Sequence, residues 1–102
     1  MRQRKLKLTL LALRDLCDVY DHIALIDPQN ARRFVNRIND KMAWIAKSGL
    51  TGVSRDFIPG LRAFSYRDRC IYLPVDNSTM TVLRILHGRQ DITSKDFPES
   101  EI

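Results

Sequence analysis

The sequence predicts an α+β fold in the order β-α-α-β-β-β, with a helical hairpin packed on one face of an antiparallel sheet. Three observations predict it. Ala31, Phe34, Val35, Ile38, Met42 and Ile45 recur at helical spacing. Asp27-Pro28 separates that segment from an earlier amphipathic one. Three runs rich in β-branched and aromatic residues then follow at 61–66, 70–75 and 80–86, joined by links too short for anything but antiparallel hairpins.

Each element has its own justification. Leu6, Leu8 and Leu10 alternate with Lys7 and Thr9, which predicts a short first strand. A helix follows from about Leu11. Its apolar face reads Leu13, Leu16, Cys17, Tyr20, Ile23 and Ala24, with Asp15, Asp18 and Asp21 in solvent. Asp27 suits an N-cap and Pro28 the first helical position, where no N–H partner is needed. The second helix runs to about Lys47, with Trp44 at the edge of its stripe and Gly49 as the left-handed stop. Residues 49–60 read as a loop. In the middle strand Ile71, Leu73 and Val75 alternate with Cys70 and Tyr72, so it is central and covered on both faces. Residues 93–102 show no periodicity and read as a flexible tail to a single domain spanning 1–102.

The chain has 102 residues and a net charge of +5, enough length for one modest core. No apolar run approaches the ~20 residues of a membrane helix, and the N-terminus lacks a secretory h-region, so a cytoplasmic protein with no membrane partner is expected. Cys17 and Cys70 are expected to be buried free thiols, since no CxxC or Cys/His spacing suggests zinc. No metal or cofactor is expected. The charge divides as +4 over residues 1–7, +1 over 8–54, +3 over 55–89 and −3 over 90–102. The positive field is thus expected from the N-terminus and the sheet, and it suits an anionic partner.

The sheet carries Arg62, Arg67, Arg69, Arg84 and Arg89, with His87 among them. Strand alternation sets Leu83 and Ile85 inward and Arg84 outward. It groups Arg62 with Phe64 and Tyr66. Arg62 and Arg84 are therefore expected on one open face that a partner completes, and Arg67 and Arg69 are expected to pair with Asp68 around a turn. His22 reads as structural and Tyr72 as core. No phosphate-binding glycine loop, GxSxG or HExxH motif is present.

Two segments carry a specific resemblance: Pro59-Gly60-Leu61-Arg62, and Val82-Leu83-Arg84-Ile85-Leu86-His87-Gly88-Arg89-Gln90-Asp91-Ile92. Together with the hairpin sequences 12–16 and 27–35, they make the chain resemble the ParE branch of the RelE/ParE toxin superfamily over nearly its whole length. The resemblance implies the toxin of a type II toxin–antitoxin pair of the plasmid-stabilisation kind, acting by poisoning DNA gyrase. It implies a hetero-oligomer with a ParD-like ribbon-helix-helix antitoxin, which would contact the operator DNA. The RelE-like alternative is a ribosome-dependent messenger-RNA endonuclease. That chemistry needs a base for the 2′-OH, a donor for the leaving oxygen and cations on the phosphate. Arg62, Arg69 and Arg89, with His87 as acid or base, are the residues that would supply it. Gly60 stands where a second lysine is expected, and no tyrosine follows residue 72. The resemblance therefore favours a binding toxin without catalytic residues, using Arg62, Arg84, His87 and Arg89 as its contact set.

Overall fold

Strand β1, Lys5–Leu8, leads into helix α1, Leu10–Ala24, through a cap that ties the start of the helix to the far end of the chain. The Thr9 hydroxyl oxygen accepts from the Ala12 N–H at 3.1 Å and its O–H donates to the Leu83 carbonyl at 2.8 Å. The Thr9 N–H donates to the Val82 carbonyl at 3.1 Å. This computed structural model describes residues 3–50, 52–56, 58–74, 78–88 and 92–97. Helix α2 spans Pro28–Ser48 with both expected caps. The Asp27 carboxylate accepts from the Asn30 N–H at 3.1 Å, and Gly49, at φ 73°, closes the last turn.

The sheet is richer than three strands. A two-residue strand β2, Val53–Ser54, lies inside the expected loop and pairs with β3, Leu61–Tyr66. β3 pairs antiparallel with β4, Arg69–Pro74. The expected last strand is two strands, β5 at Thr79–Val82 and β6 at Arg84–His87. β6 pairs antiparallel with β4, whereas β5 pairs parallel with β1. The result is a four-stranded antiparallel sheet, ordered β2-β3-β4-β6, with a parallel pair β1-β5 beside it.

The break falls at Leu83 because Leu83 and Ile85, two residues apart, need burial on opposite sides. Val82 and Ile85 join the core under the helices with Leu16, Val19, Ile38, Met42, Ile45, Ile71 and Leu73. Leu83 and Leu86 join Leu61, Ala63 and Tyr72 on the other face. Leu83 and Ile85 are therefore not on one side, and the alternation slips by one position. The slip is tolerated because the Leu83 N–H still donates to the Tyr72 carbonyl at 2.8 Å. β4 is central and covered on both faces, as its two apolar sets require.

Helix α1 faces the core differently from its apparent stripe. Ala12, Leu16 and Val19 are buried, while Leu13 is 48% exposed and Cys17 is also exposed. The packed face is rotated by roughly a quarter turn from the expected one. Two apolar stripes compete on this helix, and the one with small Ala12 at its centre allows closer approach to α2 and the sheet. Asp15, expected in solvent, sits on the buried side at 7% exposure. Neither thiol is fully buried, Cys70 being half-buried.

The C-terminal segment is a cover rather than a free tail as far as residue 97. Ser94–Asp96 form a 3-10 turn that Thr93 caps, accepting from the Lys95 N–H while the Asp96 carboxylate accepts from the Thr93 N–H at 2.8 Å. Phe97 is 4% exposed and meets Tyr72 edge-on, ring centroids 5.3 Å apart. Ile92 and Ile58 complete the cover. Residues 98–102 lie outside the described residues.

One glycine is fixed by contact as well as by conformation. Gly52 has φ 76°, and a Cβ there would stand 2.5 Å from the Ala63 carbonyl oxygen. Gly60 has φ 80° with open space around it. Gly52→Ala is expected to cost more than the ~1 kcal/mol of an ordinary incompatible glycine replacement, and more than Gly60→Ala. Paired thermal melts of the two variants check this.

Candidate functional site between helix α1 and strand β6

A cleft of about 380 Å³ runs between α1 and the sheet edge at β6. Asp15, Asp18, Val19 and His22 line it from the helix. Ile85, Leu86 and His87 line it from β6, with Arg69 and Arg84 among them. Asp15, Asp18 and His22 fall at i, i+3 and i+7, so the helix turns all three to one side. That spacing was available in the sequence. Each residue taken alone reads as a solvated or structural group, so the spacing does not announce a cleft.

Arg84 is the anchor of the cleft. Its Nε and Nη2 each donate to the Asp15 carboxylate at 2.8 Å, a two-pronged pairing. Its Nη1 donates to the Asp96 carbonyl at 2.6 Å. Asp15 also accepts from the Ile85 N–H at 2.9 Å. The Asp15 hydrogen bond raises the Arg84 pKa above the usual arginine value, while burial pulls the other way. The guanidinium is thus a permanent cation clamping helix, edge strand and C-terminal segment together.

Arg69 and His87 face each other across β4 and β6. Both approach Asp68 in the β3–β4 turn: Arg69 Nε lies 3.7 Å from Oδ1, and His87 Nε2 lies 3.4 Å from Oδ2. The Gly88 N–H donates to the Asp68 carbonyl at 2.7 Å, which fixes the turn against the end of β6. His87 keeps 36% of its side chain exposed at the rim. Arg67 takes a different role from the one expected. It holds the left-handed turn position at φ 56° and lies over the Tyr66 ring at 5.7 Å.

Arg62 does not belong to this group. It is in register with Leu73, which lies under the helices, whereas Arg84 is in register with Tyr72 on the opposite face. The two arginines therefore do not share an open face. Arg62 Nη2 donates to the Gly52 carbonyl at 2.5 Å beside β2. Leu73 and Arg69 are four residues apart on β4, so Arg62 stands roughly 13 Å along the strand from the Arg69–His87 pair. The face expected to await a partner is covered by the chain's own Ile92 and Phe97. Arg89 lies outside the described residues. Among the described residues no cluster of three or more His, Cys, Asp or Glu is arranged to hold a metal ion.

The family model for the ParE toxin of the type II toxin–antitoxin system parDE matches residues 6–92. The chain belongs to the ParE toxin family. Its fold is similar to that of a chain from the chromosomal ParDE toxin–antitoxin system of P. aeruginosa, with a TM-score of 0.73 and 26% identity. That likeness covers 83% of this chain and 96% of the other. No curated protein matches it significantly. The ParE match takes in both halves of the Asp15–Arg84 clamp and the Arg69–Asp68–His87 group. It stops before the 3-10 turn and Phe97. Among the described residues of this ParE-family chain, no helix is long and apolar enough to cross a membrane.

Proposed function

We propose that this ParE-type toxin arrests growth in the cytoplasm by docking on DNA gyrase, and that a ParD-type antitoxin neutralises it. The dispersal of the basic groups carries the reading. A phosphate-cleaving site needs its cations and its proton-transfer groups around one reacting atom. Among the described residues Arg84 is held by Asp15, Arg62 is turned toward Gly52, and only Arg69 and His87 stand together at the cleft rim. That arrangement suits recognition of a partner surface better than chemistry on RNA.

The antitoxin reading draws on the ParDE system to which the fold is similar. It also draws on apolar groups that the fold leaves uncovered. Leu10 and Leu13 stand on the outer side of α1 at 64% and 48% exposure, and Leu25 and Ile26 cap the hairpin at 86% and 90%. A subunit made to be covered by another presents such surface.

Purified toxin is expected to block gyrase supercoiling and to leave ribosome-bound messenger RNA intact. Normal supercoiling together with cleaved message would sink the gyrase reading. His87→Ala and Arg69→Ala are the informative variants, because neither side chain joins helix α1, the edge strand and the C-terminal segment as Arg84 does. Each is expected to weaken gyrase inhibition at least about tenfold, the ~1.4 kcal/mol of one good contact. Thermal melts of the same preparations would show the fold retained.

A further inference from the structure

The charge of the hairpin is divided between its helices. α1 carries Arg14 against Asp15, Asp18 and Asp21, a net of −2; α2 carries five basic residues against Asp40, a net of +4. The positive field expected only from the N-terminus and sheet is therefore also a property of one helix. Arg33, Arg37, Trp44 and Lys47 sit on a single side of α2, opposite buried Ala31, Ile38, Met42 and Ile45. Arg32, Asn36 and Asn39 are exposed beside them, and Lys41 lies over the half-exposed Trp44 ring at 4.7 Å. Asp40 is the one acid in the row. Arg32, Arg33 and Arg37 form no ion pair among the described residues.

We infer that the outer face of α2 docks on the phosphate backbone of duplex DNA, without reading sequence. The helix is 21 residues long, roughly 32 Å, and its cations are spread over most of that length. A duplex offers a continuous line of negative charge over the same distance. The accompanying side chains are amides, Gln29, Asn30, Asn36 and Asn39, and Arg, Asn and Gln are the usual donors to phosphate oxygens and base edges. An acidic peptide would also find charge here. However, apart from Trp44, whose ring Lys41 already covers, the row offers no large apolar anchor, and such anchors carry most peptide affinity. A single aromatic group is likewise too few for the stacking platform that unpaired strands use.

The test is fluorescence anisotropy of the full chain with labelled duplexes of two unrelated sequences, between about 50 and 200 mM salt. Both duplexes should bind alike. Arg33→Gln/Arg37→Gln should weaken binding about tenfold and reduce the slope of log K against log salt by about 1.8. Lys5→Gln/Lys7→Gln, which removes equal charge from β1, should change binding far less. Both double variants should melt like the parent, since these side chains are exposed. The inference is overturned by an absence of duplex binding at the low-salt end, or by equal losses from the two double variants. Tighter binding to a labelled poly-glutamate peptide than to the duplex would also overturn it, in favour of an acidic protein.

Discussion

Arg84→Ala is expected to lower folding stability by about 3 kcal/mol, the scale seen when one partner of a buried ion pair is removed. For a domain of this size that corresponds to a fall in melting temperature of roughly 12 °C or more. The physical reason lies with the partner left behind. Asp15 has only 8% of its side chain exposed, so its carboxylate would keep the Ile85 N–H but lose both guanidinium donors. Solvent at Arg84, whose side chain is 18% exposed, tempers the loss only in part. Asp15→Ala should cost a similar amount, because it strands the cation and the Ile85 N–H together. The double variant should lose clearly less than the sum of the singles, with a coupling of about 1.5–3 kcal/mol. Chemical denaturation of the four proteins measures that coupling, and strict additivity would show the clamp to be unimportant. One consequence concerns function. An Arg84 variant that fails to arrest growth reports on folding as much as on target contact.

Phe97→Ala is expected to cost about 3–5 kcal/mol, the range for emptying a buried phenylalanine site. Three effects combine. The Tyr72 ring loses its edge-on neighbour, Leu83 and Leu86 lose part of their cover, and the 3-10 turn that positions the Asp96 carbonyl against Arg84 loses its anchor. Phe97→Leu should recover most of the loss. Deleting residues from 93 onward should match or exceed the alanine effect in a thermal melt. A deletion that melts like the parent would mean the segment contributes nothing to the sheet.

How far the fold was legible depends on how local each signal is. α2 could be read almost residue by residue, because its caps and its apolar row lie within one stretch of chain. α1 could be placed but not oriented. Leu10, Leu13 and Cys17 compete with Ala12, Leu16 and Val19 for the inner face, and the residue that settles the choice, Asp15, finds its partner 69 positions away. The break at Leu83 was hidden for a similar reason. Val82-Leu83 within an apolar run looks like one strand until β1 and β4 claim the two halves separately. Phe97 gave no periodic signal, since a single buried ring after a turn has no period. For the site, residue types were informative and directions were not. Arg69, Arg84 and His87 do line one cleft, but the alternation that grouped Arg62 with Arg84 failed at Leu83.

The parallel pairing of β1 with β5 joins Lys5 to Thr79, and it sets a clock. At the ribosome's ~5–20 residues per second, residue 79 is made roughly 4–15 s after residue 5. Throughout that interval β1 has no strand to join, the Thr9 hydroxyl has no Leu83 carbonyl, and Asp15 has no guanidinium. The hairpin can form early, but its inner face waits for the last quarter of the chain. A growing polypeptide of this kind lacks both the Asp15–Arg84 clamp and the β6 wall of the cleft until residues 84–87 have been made.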